Sequence, residues 1–333
     1  MTAPGPRLRR CVVVGGSGAV GSMFLQLLRV TADELCAVDT SPPRTGAADE
    51  ETTWLIADVT TLDPGGEAAR AIAAANLVLF AVPEPVALAA AGPITALMRP
   101  GAVLVDTLSV KSRLIAELAN CPDGTEQVSI NPMFAPSLGI AGRTVAAVVL
   151  REGPGVTTFL NLIEEWGGRL LRLSPDQHDR ITAVTQALTH ATVLGFGFAL
   201  CEAPVDIGQL TAAAPPPHTT LLSLLARMAG GAPEVYWDIQ SANPHAAQAR
   251  DSLATALRQL ADLVAGGQEQ DLAAAFDRIR NFLGPELAHY QTRCERVFAA
   301  LQDTPTQDGG SAPTAPDGST DPVTCDERKW CAP

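Results

Sequence analysis

A short β-rich run, Cys11-Val-Val-Val14, passes straight into Gly16-Ser17-Gly18-Ala19-Val20-Gly21 and then into an amphipathic stretch that ends near Val30. This strand–turn–helix order constrains the fold more than any other feature of the chain. The glycines of a GxGxxG turn meet three physical needs, which are a tight turn, backbone approach to a pyrophosphate, and close packing of helix on strand. The helix start then turns its unpaired N–H groups toward the phosphates. The next apolar run, Leu35-Cys-Ala-Val-Asp39, ends in a carboxylate that can accept the hydroxyls of an adenosine ribose and would repel a 2′-phosphate. The pattern predicts a dinucleotide site with NAD preferred; Arg44, five residues on, is the feature that favours NADP. The run Leu77–Val82 ends at Val82-Pro83, which reads either as a wall of the same site or as an ordinary strand end.

Residues 8–173 continue in the same manner. Strands are expected at Cys11–Val14, Leu35–Val38, Trp54–Ala57, Leu77–Val82, Ala102–Asp106, Val128–Asn131, Val145–Leu150 and Arg169–Leu173. Helical patterns at Val20–Val30, Glu67–Ala75, Pro85–Met98 and Ser112–Ala119 lie between several of them. Such alternation predicts an α/β fold, with a Rossmann-like, doubly wound, mostly parallel sheet covered on both faces. Past Ser174-Pro-Asp-Gln, a helix start with its cap, proline and acid in place, the strands stop. Helices are expected to about Leu200 and at Thr219–Met228, Glu234–Ala242, Ala246–Ala265 and Gln270–Ala300. The organisation is therefore a dinucleotide-binding domain at 1–173, a helical domain at 174–302 and a Pro/Gly/Ser/Thr-rich tail at 303–333 expected to be disordered.

Composition narrows the functional classes. A formal charge of −13 excludes nucleic-acid binding through the overall field. The apolar segments carry Thr, Gln and His, so no membrane span is expected. The N-terminus goes from three arginines into a run too short for a signal peptide. The seven cysteines are scattered and never in CxxC spacing, which argues against a zinc site and for free thiols. A cytoplasmic protein without a bound metal is expected, and the pair Cys325 and Cys331 in the tail has little specificity.

Three more clusters carry chemistry: Asp106-Thr-Leu-Ser109-Val-Lys111, Asn131-Pro-Met-Phe-Ala-Pro136, and Gln186-Ala-Leu-Thr-His190. Taken singly each has an ordinary reading. Ser109 can cap the following helix, Asn131-Pro can form a turn, and His190 can be a satisfied core histidine. In this order, after GxGxxG, they resemble the prephenate dehydrogenase family, whose segments read D-x-x-S-V-K, H-P-M-F-G-P and Q-A-L-x-H. The resemblance runs from about Arg10 to Leu301. It implies an NAD-linked oxidative decarboxylation in which hydride leaves C4 of a cyclohexadiene and CO2 leaves C1. It also implies an all-helical dimerisation domain and a homodimer, for which the apolar helices after Ser174 supply the material. By the same resemblance Ser109 bonds near the C4 substituent and Arg227 grips a substrate carboxylate with its planar fork. His190 and Lys111 are carried over as weaker substrate contacts. His178, His218, His245 and His289 read as surface or structural.

One departure bears on the substrate. The family's H-P-M-F-G-P is Asn131-Pro-Met-Phe-Ala-Pro136 here, and the lost histidine is the group that takes or polarises the C4 hydroxyl proton. Asparagine keeps much of the hydrogen-bonding reach but takes no proton near neutral pH, and losing a general base costs ~10²–10⁴ in rate. A C4 amine does not need that base, because its own lone pair pushes the hydride out. The expected reaction is therefore oxidation of 4-amino-4-deoxyprephenate to 4-aminophenylpyruvate, with Ser109 and Asn131 at the reacting centre. Prephenate or arogenate is the alternative substrate, and a non-catalytic NAD-binding sensor on the same fold is the alternative of another class.

Overall fold

The computed structural model describes residues 8–42, 51–121 and 124–302. Arg44 and the 303–333 tail with Cys325 and Cys331 lie outside the described residues. Eight strands form one sheet: β1 (Arg10–Val14), β2 (Glu34–Asp39), β3 (Thr52–Ile56), β4 (Leu77–Phe80), β5 (Val103–Asp106), β6 (Glu126–Pro132), β7 (Thr144–Arg151) and β8 (Arg169–Arg172). Their order is β3-β2-β1-β4-β5-β6-β7-β8, parallel throughout except where β7 runs antiparallel to β6. All eight strands match the sequence expectation to within a few residues.

The strands read as unbroken apolar runs because both faces are covered. Cys11, Val13, Leu77 and Leu79 point to one face, where helices α1 (Ala19–Arg29) and, later in the chain, the helix Pro154–Glu165 bury Phe24, Leu28, Phe159 and Ile163. Val12, Val14, Val78 and Phe80 point to the other. There α2 (Glu67–Ala74), α3 (Glu84–Leu97) and α4 (Ser112–Leu118) contribute Ile72, Ala87, Ile94 and Leu114. The helix Pro154–Glu165, here α5, is absent from the expected set, although it fills the β7–β8 connection. The order of strands reverses between β1 and β4, where ligands enter a doubly wound sheet. The C-terminal ends of β1, β4, β5 and β6 lie side by side along that edge.

Beyond β8 the chain is helical. Helix α6 (Pro175–Thr182) opens on a full capping box: Gln177 N–H donates to Ser174 Oγ at 3.3 Å and Ser174 N–H to Gln177 Oε1 at 3.0 Å. A π-helical stretch, Ala183–Leu188, joins it to α7 (Thr189–Cys201). There follow α8 (Ile207–Ala213), α9 (Pro216–Ala229), α10 (Pro233–Ala242), α11 (Ala246–Gly266), α12 (Glu269–Leu283) and α13 (Leu287–Gln302), of which α9, α10 and α11 pack on this rod. The single helix expected over 270–300 is thus two. Gly284 at φ +50° and Pro285, which has no N–H to donate, break it. Helix α8, capped by Asp206 accepting from Gln209 N–H at 3.0 Å, is also absent from the expected set. The 27-residue rod Pro175–Cys201 is long and apolar enough to cross a membrane, which corrects the expectation that no segment would be. Two acids and a histidine in its first two turns are tied to protein partners instead.

Phe159 anchors the α5 face, with its ring edge-on to Trp166 at 6.4 Å between centroids. Phe159→Ala should cost about 3–5 kcal/mol in urea unfolding, as expected for emptying a closed core position. A cost under about 1 kcal/mol would show that this face repacks freely.

Candidate active site

The glycine turn is built by close approach. Gly15, just before the motif, has φ +88°, and a Cβ there would fall 2.3 Å from the Ala81 carbonyl oxygen at the end of β4. A Cβ on Gly21 would fall 2.1 Å from the Gly15 carbonyl oxygen. The turn therefore depends on a glycine outside the recognised motif as well as on Gly16, Gly18 and Gly21. Asp39 sits where expected, and its carboxylate accepts Ser17 N–H at 2.9 Å and Ser41 N–H at 3.0 Å. Ser17 Oγ reaches back to the Ser41 and Pro42 carbonyls. Helix α1 starts at Ala19 with no side-chain cap, so its first N–H groups, including those of Ala19 and Val20, are left for a ligand. The Val20 side chain packs on the core instead.

A cavity of about 410 Å³ lies over this turn, lined by Gly15, Gly18, Asp39, Asp58, Val82 and Pro83 among others. Backbone bare of side chains at Gly15 and Gly18, an uncapped helix start and a carboxylate at the end of β2 are the donor and acceptor set that a dinucleotide requires. The residues fit that group, and Val82 and Pro83 line the same cavity.

The second constellation stands at the ends of β5 and β6. Asp106 pairs in register with Ser129, whose hydroxyl donates to Asp106 Oδ1 at 2.7 Å. Lys111 is 0% exposed. Its ammonium donates to the carbonyls of Leu108 (2.6 Å) and Ile130 (2.7 Å) and lies 3.6 Å from Asp106 Oδ1. Burial holds its pKa below the ordinary lysine value, against the pull of Asp106 and Asp179. The expectation that Lys111 contacts substrate gives way to this geometry: with its donors spent on protein and no exposed surface, it laces the β5 end to the β6 end. Ser109, half-buried two residues before it, caps no helix, since α4 starts after Lys111 without a side-chain cap. Asn131 is a strand residue and not part of a turn, 2% exposed, next to last in β6.

From the helical domain, α6 brings two residues that sequence reasoning misses. Asp179 accepts the N–H of Lys111 at 3.0 Å, the N–H of Ser112 at 3.1 Å and the Ser112 hydroxyl at 2.7 Å. Burial would raise its pKa, but the donors from His178, Ser112 and Lys111 outweigh it and the carboxyl lies below its usual range. His178, read as surface or structural, is 0% exposed. It spans from Asp179 Oδ1 (Nδ1, 2.9 Å) to Asn131 Nδ2 (Nε2, 3.2 Å). Burial, above all, holds its pKa below the ordinary histidine value. The His-Asp pair inside the first two turns of a capped helix is the signal available in the chain; its burial is not visible there.

The π-helical stretch packs against the same corner. Gln186 donates from Nε2 toward Met133 Sδ at 3.9 Å, placing this segment against the Asn131-Pro-Met corner. Gln186 Oε1 and His190 Nδ1 are buried and have no protein partner, the condition of groups that wait for a ligand. His190 is therefore not the satisfied core histidine of the ordinary reading. Its ring stands edge-on to Tyr236 at 5.0 Å, and burial, with Arg227 nearby, lowers its pKa. Arg227, in the last turn of α9, is exposed.

With this geometry in place, comparison with known proteins is informative. A family model described as "Prephenate dehydrogenase, dimerization domain" matches residues 174–278. A protein of Streptomyces pristinaespiralis named 4-amino-4-deoxyprephenate dehydrogenase is 49% identical over 292 residues, 88% of this chain and 97% of that one. The chain belongs to the prephenate dehydrogenase family. A second relative, the T-protein of Enterobacter agglomerans, is 25% identical over 300 residues, 90% of this chain and 74% of that one. The fold agrees with two solved structures of the family. The Aquifex aeolicus prephenate dehydrogenase, in complex with hydroxyphenyl propionate and NAD+, superposes with a TM-score of 0.67 at 18% identity, covering 83% of this chain and 97% of that one. The Synechocystis arogenate dehydrogenase gives 0.61 at 15% identity, covering 82% and 98%. The Rossmann-like sheet with a helical domain expected for a prephenate dehydrogenase is therefore the fold of this one.

Lys111→Met separates support from substrate contact. Removing the ammonium strands Asp106 and two buried carbonyls, and should cost about 3–5 kcal/mol in urea unfolding. A rise in substrate KM with an unmoved unfolding midpoint would return Lys111 to the substrate pocket.

Proposed function

We propose that this member of the family oxidises 4-amino-4-deoxyprephenate to 4-aminophenylpyruvate, CO2 and NADH. The observation that carries the reading is Asn131, buried at the end of β6 where the family pattern has histidine. The 49% identity to a protein named for that activity supports it. NAD, when bound, supplies the hydride acceptor, and Asp39 is placed to favour it over a 2′-phosphorylated form. The electron count closes without a base: the C1–carboxylate bond pair moves into the ring, the C4–H pair leaves as hydride, and the neutral amine keeps its protons. Asn131 need only hold the amine and tolerate the partial positive charge that its lone pair creates.

Ser109, in the loop that follows β5, bonds the same substituent as Asn131 at the end of the neighbouring β6. Arg227 takes one substrate carboxylate by bidentate pairing, and His190 and Gln186 offer their unpartnered atoms to the rest of the molecule. Turnover of the amine should exceed that of prephenate by a large factor, measured as kcat/KM from NADH absorbance. Asn131→His should raise prephenate turnover, because an imidazole titrating near ~6.5 can take the hydroxyl proton, and should leave amine turnover flat or lower. A wild-type preference for prephenate would overturn the amine reading, and no turnover of either substrate would make the protein an NAD-binding sensor.

The protein also works as a homodimer joined through the helical domain, in the cytoplasm. Phe198 on α7, Trp237 on α10, Leu257 on α11 and Phe282 on α12 stand largely exposed in the single chain, an apolar surface that a monomer in water does not leave open. The weakly buried apolar rod Pro175–Cys201 belongs to this surface and to no bilayer. The five described cysteines are free thiols, in keeping with a reducing compartment. Light scattering at micromolar concentration should give twice the chain mass, and the chain mass alone would refute the dimer.

A further inference from the structure

A buried asparagine can present either end of its amide to a ligand, and the two ends do opposite chemistry. Oδ1 accepts a hydrogen bond; Nδ2 only donates. At an amine centre the difference is large. An acceptor takes one N–H and leaves the nitrogen lone pair free to feed the ring. A donor binds that lone pair, the only one the nitrogen has, and withholds it from the reaction. An oxygen in the same place has two lone pairs and loses less. The amide orientation of Asn131 is therefore a determinant of which heteroatom reacts.

The structure contains what sets that orientation. Asp179 already accepts three donors besides His178: Lys111 N–H, Ser112 N–H and Ser112 Oγ–H. It is held as an anion and has no proton to give. His178 Nδ1, 2.9 Å from Asp179 Oδ1, must then be the donor of that pair. A neutral imidazole protonated on Nδ1 carries its lone pair on Nε2, so Nε2 accepts. The group 3.2 Å from Nε2 is Asn131, which must turn its Nδ2 there. Oδ1 is then the end of the amide left over for a ligand.

We infer that His178 is a positioning residue which, held in one tautomer by Asp179, locks the Asn131 amide with its acceptor toward the C4 substituent and so selects an amine over a hydroxyl. This rests on the reaction proposed above. The charged groups around His178 are Asp179 on its own helix, Lys111 at the start of α4 and Asp106 at the end of β5. All three are tied to other partners, so none competes for Nε2.

The test compares His178→Leu and His178→Gln with wild type on 4-amino-4-deoxyprephenate and prephenate. In His178→Leu the amide is free to turn, and kcat/KM for the amine should fall about tenfold further than for prephenate. His178→Gln, which can donate to Asp179 from Nε2 and accept from Asn131 with Oε1, should restore most of the ratio. NAD affinity by fluorescence titration should hold in both variants. Equal losses on both substrates, or no recovery with glutamine, would reduce His178 to a structural residue. A second measurement needs no substrate: the 15N shifts of His178, assigned by their loss in His178→Gln, should report the Nδ1–H tautomer. An Nε2–H tautomer would overturn the inference whichever substrate the enzyme prefers, whereas a wild-type preference for prephenate with the Nδ1–H tautomer present would overturn only the amine reaction.

Discussion

A single carboxylate, that of Asp179, joins the two halves of the active site. It comes from the first helix of the C-terminal domain and closes on the backbone of residues 111 and 112 at the start of α4, in the sheet domain. Backbone N–H groups at a helix start are strong donors with no intrahelical partners, so a buried anion there satisfies both sides at once. The tie continues on the far side, where Asn243 donates to the Asp179 carbonyl at 2.8 Å and to Thr182 Oγ1 at 3.1 Å. Three segments far apart in sequence are thus referred to one residue. The start of α4, the β6 end and the helical domain keep their relation because that residue is buried and fully bonded.

Around this tie the site divides its work by burial. The groups that hold geometry, Asp106, Lys111, Ser129, His178 and Asp179, are sealed and bonded to one another. The groups assigned to ligands, Ser109, Gln186, His190 and Arg227, keep an unpaired atom or an exposed head. The π-helical stretch contributes to this second set. Its wider turn changes the phase of the rod between Thr182 and Thr189, and Gln240 Nε2 takes up the Ala187 carbonyl at 2.8 Å. One long helix can then point His178 and Asp179 at the sheet domain and still turn Gln186 and His190 to the pocket.

How much of this is legible in the chain follows from the range of each interaction. The strand–glycine–helix unit, Asp39 and the eight strands are local patterns and are readable. Gly15 is not, because its need arises from the Ala81 carbonyl, which comes from a different strand. Helix α5 hides behind Gly153-Pro154, residues that read as a loop until Phe159, Leu160 and Ile163 are seen to share one buried face. Gly284-Pro285 shows the reverse error, a break within a periodic pattern that reads as continuous. At the site, motif resemblance supplies Ser109, Asn131, His190 and Arg227 as candidates. It also places Lys111 with the ligand contacts, because a charge in a motif looks functional until its burial is known. His178 and Asp179 escape for the same reason in the other direction: polar residues early in a capped helix look solvated, and only the docking of one domain on the other encloses them.

The sealing of Lys111 has an effect on the rest of the molecule. It is the only lysine among the described residues; Lys329 lies outside them. The described surface therefore carries its side-chain positive charge as guanidinium, which does not titrate in the range where proteins stay folded. Amine-directed acylation or crosslinking finds no side-chain target on the described part of either folded domain, so a reagent that labels lysines would read the opening of the β5–β6 corner and nothing else within it.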